Sequence, residues 1–194
     1  MIIQLSSRKK ANRKSGDGMR AIIVFLALLL LGSCGDTAGP SGTEGWYSYT
    51  TDDVVFQWRV ENDGTILHVK LSAPTTGWVA VGFSPSVMMK DANFVIGYVE
   101  GAAGYIRDDF GTGATTHEAD TVLGGSSDVT LIGSGENGNQ TDIDFSIPMS
   151  SGDQYDAVLT QGETCTILLA YGPSGGDDFT SAHQFVRAVS LKLL

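Results

Sequence analysis

From Trp46 onward, apolar and polar residues alternate in short runs, and no long stretch keeps a 3.6-residue apolar period. The runs are Val54–Val60, Thr65–Ser72, Trp78–Phe83, Phe94–Glu100, Tyr105–Asp109, Val129–Ile132, Thr141–Ile147, Cys165–Tyr171 and a last one from His183 to Leu193. Gly, Asn, Asp and Ser separate them, and Asn62-Asp63-Gly64 marks a hairpin between the first two. Short strands at this spacing predict an all-β fold, an antiparallel β-sandwich with Greek-key connections. The period of two assigns faces. Leu67, Val69 and Leu71 share one face while His68 and Lys70 share the other, so His68 is expected to be solvated. His183 has the parity of Phe185, Val189, Leu191 and Leu193, which places it at the end of an apolar face, at the mouth of the core. Arg187 breaks that parity and calls for a bulge or a buried anion partner.

The first 45 residues have a different character. Ala21–Leu31 is an unbroken apolar run of 11 residues, shorter than the ~20 of a bilayer span and suited to the h-region of a secretory signal. Arg20 and the basic cluster upstream supply its positive flank. Leu31-Gly32-Ser33-Cys34 resembles a bacterial lipobox, in which the Cys accepts a lipid before cleavage. Residues 1–33 are therefore read as a signal peptide, and Met19 alone opens a compact version of it. Residues 34–45 are read as a lipidated Cys34 and a flexible tether, and 46–194 as the folded domain. Such a protein is expected in the bacterial cell envelope, anchored to a membrane through Cys34, with the periplasmic face of the outer membrane the default. The 11 residues from Gly35 to Gly45 would reach roughly 18 Å as a flexible chain.

Length and charge narrow the classes. The 194 residues suit one domain plus a terminal extension. Gly accounts for 25 of them, roughly twice the usual ~7%, as many tight turns require. Six of the 12 basic residues precede position 34, against one of the 22 acids, leaving 6 basic and 21 acidic residues in the exported part. That surface repels phosphate backbones and excludes nucleic acid as a partner. Of the two cysteines, Cys165 is alone once Cys34 is acylated, so no disulfide and no C-x-x-C metal or haem-attachment pair exists. The three histidines, His68, His117 and His183, sit in no hydrolase or metalloprotease motif. The acidic segments (Asp108-Asp109, Asp177-Asp178, Glu136 through Asp144) lack EF-hand spacing and read as solvated turns. No catalytic site of the chain's own is expected.

Thr76-Gly77-Trp78-Val79-Ala80-Val81-Gly82-Phe83-Ser84, then Met89-Lys90-Asp91-Ala92-Asn93-Phe94-Val95-Ile96-Gly97, then Ile106-Arg107-Asp108, resembles the DOMON domain. Phe56-Gln57-Trp58, Leu67–Leu71 and the closing His183 run fit the same pattern, so the likeness covers about residues 46–194. It implies an immunoglobulin-like β-sandwich of DOMON type. The haem-binding branch, similar to the cytochrome domain of cellobiose dehydrogenase, holds a non-covalent haem b between a Met at the start of the Met-x-x-Ala segment and a His near the last strand. By position these are Met89 and His183, with Met88 the alternative and His117 the reserve if His183 points outward.

The resemblance thus implies a lipid-anchored b-type cytochrome domain for single-electron transfer, with an acidic surface steering it towards a basic redox partner protein. Trp78, Phe83, Phe94 and Phe185 are the expected apolar walls of the haem cleft. Met and imidazole together would leave no open coordination position, and a soft thioether favours Fe(II). The alternative is a non-redox binding module for a carbohydrate or a protein partner. Trp46, Tyr47 and Tyr49 would then be the exposed aromatics for sugar stacking.

Overall fold

The computed structural model describes residues 38–40 and 45–194. The segment read as a signal peptide and the lipidation site Cys34 lie outside the described residues. The strands are β1 (Ala38–Pro40), β2 (Tyr47–Thr51), β3 (Val54–Glu61), β4 (Ile66–Ala73), β5 (Val79–Phe83), β6 (Asn93–Glu100), β7 (Ala103–Gly113), β8 (Thr116–Ala119), β9 (Thr130–Glu136), β10 (Thr141–Pro148), β11 (Thr164–Tyr171) and β12 (Phe185–Lys192). Two six-stranded antiparallel sheets result, ordered β1-β2-β3-β4-β10-β9 and β12-β11-β5-β6-β7-β8. Each of the nine alternating runs coincides with a strand to within a few residues. The pattern did not single out β2, β8, which carries only Thr-His-Glu-Ala, or the one-turn helix α1 (Asp120–Leu123) that follows β8. Ala38–Pro40, expected in the flexible tether, pairs instead with β2. Among the described residues no helix is long and apolar enough to cross a membrane.

The hairpin at Asn62-Asp63-Gly64 forms as its composition requires. All three residues take positive φ (50°, 56° and 90°), which Asn, Asp and Gly tolerate best. Between the sheets, Val54, Phe56, Trp58, Leu67, Val69, Leu71, Ile143, Phe145 and Ile147 meet Val79, Val81, Phe83, Val95, Ile167 and Leu169 in one core. The second sheet departs from simple alternation. All five residues of β5 are buried, and its outward positions join a second apolar cluster of Trp78, Ala80, Ala92, Phe94, Ile96 and Leu168. Its outer face is therefore covered rather than solvated.

Two segments form that cover. The turn from Ser84 to Ala92 folds back over β7, where Gly111 donates from N to the Ala92 carbonyl (2.8 Å) and accepts from Asp91 N (2.8 Å). A Cβ on Gly111 would lie 1.8 Å from the Met89 carbonyl oxygen, so only glycine lets the turn settle there. The second segment, residues 172–184, is tied down where Gly172 N donates to Trp78 O (2.8 Å) and Trp78 N to Gly176 O (3.0 Å).

Three further expectations fail, the first two of them on the other sheet. His68 does point outward, yet it is 8% exposed. Its Nδ1 bonds Glu61 (2.9 Å), its Nε2 bonds Asp144 (2.5 Å), and Trp46 lies edge-on at 4.8 Å between ring centroids. Arg59 and Lys70 stack on Trp46 at 4.7 and 4.5 Å. A tryptophan from outside the sheet thus roofs a charged cluster, which alternation within β4 does not reveal. For the same reason no aromatic platform for sugar exists at the start of the domain. Trp46 and Tyr49 are buried, and Tyr47 stacks on Trp58 at 5.7 Å. Arg187 needs no bulge, since β12 pairs with β11 in unbroken register. It lies on the sheet's edge strand and reaches Asp52 of the β2–β3 turn at 2.7 Å, an exposed ion pair rather than a buried one.

Two outcomes are expected. His68→Ala removes a hydrogen-bond partner from both Glu61 and Asp144 and should lower stability by about 1–3 kcal/mol in urea unfolding at pH 7. The hydrogen bond from His68, more than that from Arg59, holds the Glu61 carboxyl below its usual value of 4.5 despite burial. That contribution is present above pH 4.5 and lost as pH falls through the lowered value, so the difference from the unsubstituted protein should shrink in acid. Gly111→Ala forces the Met89 turn outward and should destabilise by about 1–3 kcal/mol, read as a lower midpoint in the same assay.

Candidate functional site

A cavity of about 450 Å3 opens between the two covering segments on the outer face of the second sheet. Its volume lies in the range of small-molecule and cofactor sites. Met88 and Met89 contribute from one side, Thr180 to His183 from the other, and Trp78, Leu168, Val186 and Ala188 from the sheet, with His117 completing the wall. Residues from Trp78 to Ala188 are thus brought together by the two loops and the sheet between them rather than by one strand face.

Met89 is half-buried and packs against the Trp78–Phe94 cluster. Its backbone is fixed by Met89 N to Ala114 O (3.3 Å) and Ala92 N to Met89 O (3.2 Å). Met88 lines the same cavity but is 62% exposed with φ of 56°, so Met89 is the better-seated sulfur. Trp78 is held from two sides. Its Nε1 donates to Ser181 Oγ (2.8 Å), and its ring lies where a Cβ on Gly172 would be, 2.3 Å away. Phe94, expected as a wall, does not line the cavity itself; it is buried in the cluster on which Met89 packs and lies against Gly82.

His183 is exposed, and it precedes β12 instead of belonging to it. Its parity with Phe185 therefore carries no weight. The pocket side of β12 is that of Val186 and Ala188, while Phe185 and Val189 pack on the inter-sheet core. His183 reaches the cavity through its loop. Asp178 Oδ1 accepts from Thr180 N and Ser181 N (both 2.6 Å), Ser181 holds Trp78, and Gln184 N donates to Tyr171 O (2.8 Å). Those two backbone donors keep the Asp178 carboxyl below its usual range. Asp178 is thus an organiser of the loop, not a solvated turn residue. Two of the expected cleft walls belong elsewhere. Phe83 is fully buried between the sheets, and Phe185 stacks on Tyr171 at 5.2 Å against the same core. Strand alternation points both away from the cavity.

His117 is the better-braced imidazole. Its Nδ1 bonds Asp109 Oδ2 at 2.5 Å, and Arg107 donates to both oxygens of the same carboxylate (2.5 and 2.6 Å). Burial alone would raise the Asp109 pKa, but the hydrogen bonds from His117 and Arg107 outweigh it and hold it below the usual value. An ionised carboxylate only accepts, so Nδ1 carries a proton, and the tautomer this selects is the one whose lone pair is on Nε2. A carboxylate behind an imidazole in this way is the arrangement that orients metal-ligating histidines. Asp108 and Asp109, expected in a solvated turn, are instead both buried in β7. Consecutive strand residues must face opposite ways, so one carboxylate of the pair had to point to each face. That signal was present in the sequence.

The donor set in the cavity comprises two thioethers and two imidazoles within a largely apolar wall. It suits a haem iron better than a hard, oxygen-seeking ion. The residues present therefore fit the group that the DOMON resemblance implies.

A family model described as "DOMON domain" matches residues 50–172. His183 and β12 lie beyond that match, and His117 lies within it. Among curated proteins, the chain is 27% identical to the DBH-like monooxygenase protein 2 of Mus musculus over 180 residues, which are 89% of this chain and 28% of that protein. It is 30% identical to the DBH-like monooxygenase protein 1 of Mus musculus over 132 residues, 68% of this chain and 21% of that one. The chain spans less than a third of the length of either relative. Among solved structures, the cytochrome b domain of pyranose dehydrogenase from Coprinopsis cinerea is similar at a TM-score of 0.60 and 15% identity, covering 81% of this chain and 87% of that one. The cytochrome domain of Myriococcum thermophilum cellobiose dehydrogenase is similar at a TM-score of 0.56 and 12% identity, covering 82% and 88%. At such identities the likeness is one of fold: two antiparallel sheets in a sandwich. With the family pattern running from β2 to the end of β11, the chain belongs to the DOMON domain family.

Proposed function

We propose that the cavity on the outer face of the second sheet holds a haem b and that the protein is a single-electron carrier without a catalytic site of its own. The observation that carries this reading is the convergence of Met89, His183 and His117 on one apolar-walled cavity. When bound, the haem would supply a one-electron Fe(II)/Fe(III) couple. The chain's own part is positional. The Gly111 contact sets the Met89 turn, Asp178 and Ser181 set the His183 loop, and Asp109 fixes the tautomer of His117. Trp78, Leu168, Val186 and Ala188 exclude water from the site. Met89 with His183 is the ligand pair the resemblance implies; His117 is the competing imidazole, since it is already oriented by a carboxylate.

The same reading places the protein in the bacterial cell envelope, anchored through a lipid on Cys34, with a basic redox protein as its partner. The acidic excess of the exported part, 21 against 6, supports such steering, whose rate would fall as salt rises.

Absorption spectra of the purified chain, supplied with haem, test this. A sharp Soret band with narrow α and β bands on reduction is expected, and Met89→Ala should abolish the narrow bands. His183→Ala and His117→Ala then name the second ligand: the one whose loss turns the spectrum five-coordinate is the ligand, and the other should leave it unchanged. A chain that takes up no haem would overturn the proposal and leave the non-redox module, binding a carbohydrate or a protein. A second outcome follows from the charge: electron exchange with a basic redox protein should slow roughly tenfold or more from low to physiological salt, measured by stopped flow.

A further inference from the structure

On the inner side of β7, opposite the Asp109–His117 pair, lies a cluster that the haem reading does not use. Asp108 of β7 is 2% exposed, Asp120 at the start of α1 is fully buried, and Asp156 of the 149–163 connection is half-buried. One carboxylate oxygen from each lies within 4.8 Å of the others. None of the three forms an ion pair with Lys, Arg or His among the described residues; the nearby Arg107 and His117 are taken by Asp109. Both oxygens of Asp120 and Oδ1 of Asp108 have no hydrogen-bond partner. Asn93, 3% exposed, borders the cluster. Its Nδ2 donates to Asp156 Oδ1 (2.6 Å) while its Oδ1 is also unpartnered.

Buried carboxylate oxygens without donors are rare and expensive, and each such group calls for an explanation. Several acids gathered this closely need either protons or a cation. Burial first, then neighbouring carboxylates (Asp156 beside Asp108, Asp108 beside Asp120, Asp128 and Asp153 beside Asp156), raises Asp108 and Asp120 to about 7 and Asp156 to about 6. Oxygens sharing one calcium ion at ~2.3–2.6 Å can be no further apart than about 5 Å, which the observed spread meets. The donor set is oxygen only, so zinc, copper and iron are poorly served, and the irregular arrangement of carboxylates suits Ca2+ better than octahedral Mg2+.

The surroundings are built to hold these groups in place. Asp128 N donates to Asp108 Oδ2 (2.8 Å), and Ser151 Oγ donates to Asp156 Oδ2. Asp128 and Ser151, which hold two of the carboxylates, also line an open polar cavity of about 490 Å3 with Ser126 and Asp153. We propose that Asp108, Asp120 and Asp156, bordered by Asn93, form a calcium-binding site that pins α1 and the 149–163 connection to the end of the sandwich.

Calorimetric titration of the chelator-stripped chain with CaCl2, paired with thermal unfolding, tests the site. One saturable site is expected, and saturating Ca2+ should raise the unfolding midpoint by roughly 5–10 °C. Asp120→Asn keeps the shape and removes a buried charge. It should fold with an unchanged or higher midpoint in chelator while its calcium affinity falls about 100-fold. Glu118→Gln, an exposed acid outside the cluster, should bind as the unsubstituted chain does. Absence of a calcium-dependent midpoint shift, an equal shift with MgCl2, or full retention of binding by Asp120→Asn would each overturn the assignment. Haem spectra play no part in these readouts, so the two proposals fail separately.

Discussion

The structure depends on one constraint: the centre of the second sheet is apolar on both faces. An antiparallel sheet in a sandwich ordinarily turns one face to the core and leaves the other to water. Here Ala80, Phe94, Ile96 and Leu168 point away from the core and still require cover. The covering segments are the Ser84–Ala92 turn and the 172–184 loop, and these are the segments that carry Met89 and His183. The cavity lies where the two covers do not quite meet. Binding chemistry in this fold thus arises from a packing requirement, with side chains of the cover becoming the lining of the site.

The consecutive aspartates of β7 show how strongly the pleat divides labour. Asp109 faces outward, where Arg107 and His117 neutralise it and it in turn orients an imidazole at the cavity. Asp108 faces inward with Asp120 and Asp156, where no basic side chain waits. The backbone separates them by one residue, yet one has all the donors it can use and the other leaves an oxygen bare. Opposite electrostatic fates follow from a 180° change in direction.

Glycines set the close approaches that make this geometry attainable. Gly111 admits the Met89 carbonyl, and Gly172 admits the Trp78 indole, at distances no Cβ would allow. The Gly-rich composition, which by itself indicated turns, also serves these contacts between a strand or loop and the cover above it.

Alternation alone was enough for nine of the twelve strands, the sandwich and the inward residues of β4, because a period of two is a local property that neighbouring residues impose on each other. The Trp78–Gly97 motif and Met89 were legible through the family resemblance instead, which rests on residue identities within a short contiguous stretch. His183 reached the cavity by a different route from the one its parity implied, and Phe83 and Phe185 went to the core, because a strand's face says nothing of where its flanking loop turns. The burial of His68 under Trp46, the pairing of Arg187 with Asp52, and the meeting of Asp108, Asp120 and Asp156 were all decided by tertiary structure. Each joins residues from different elements, and a contact between them exists only once strand pairing and the connecting segments have fixed the distance.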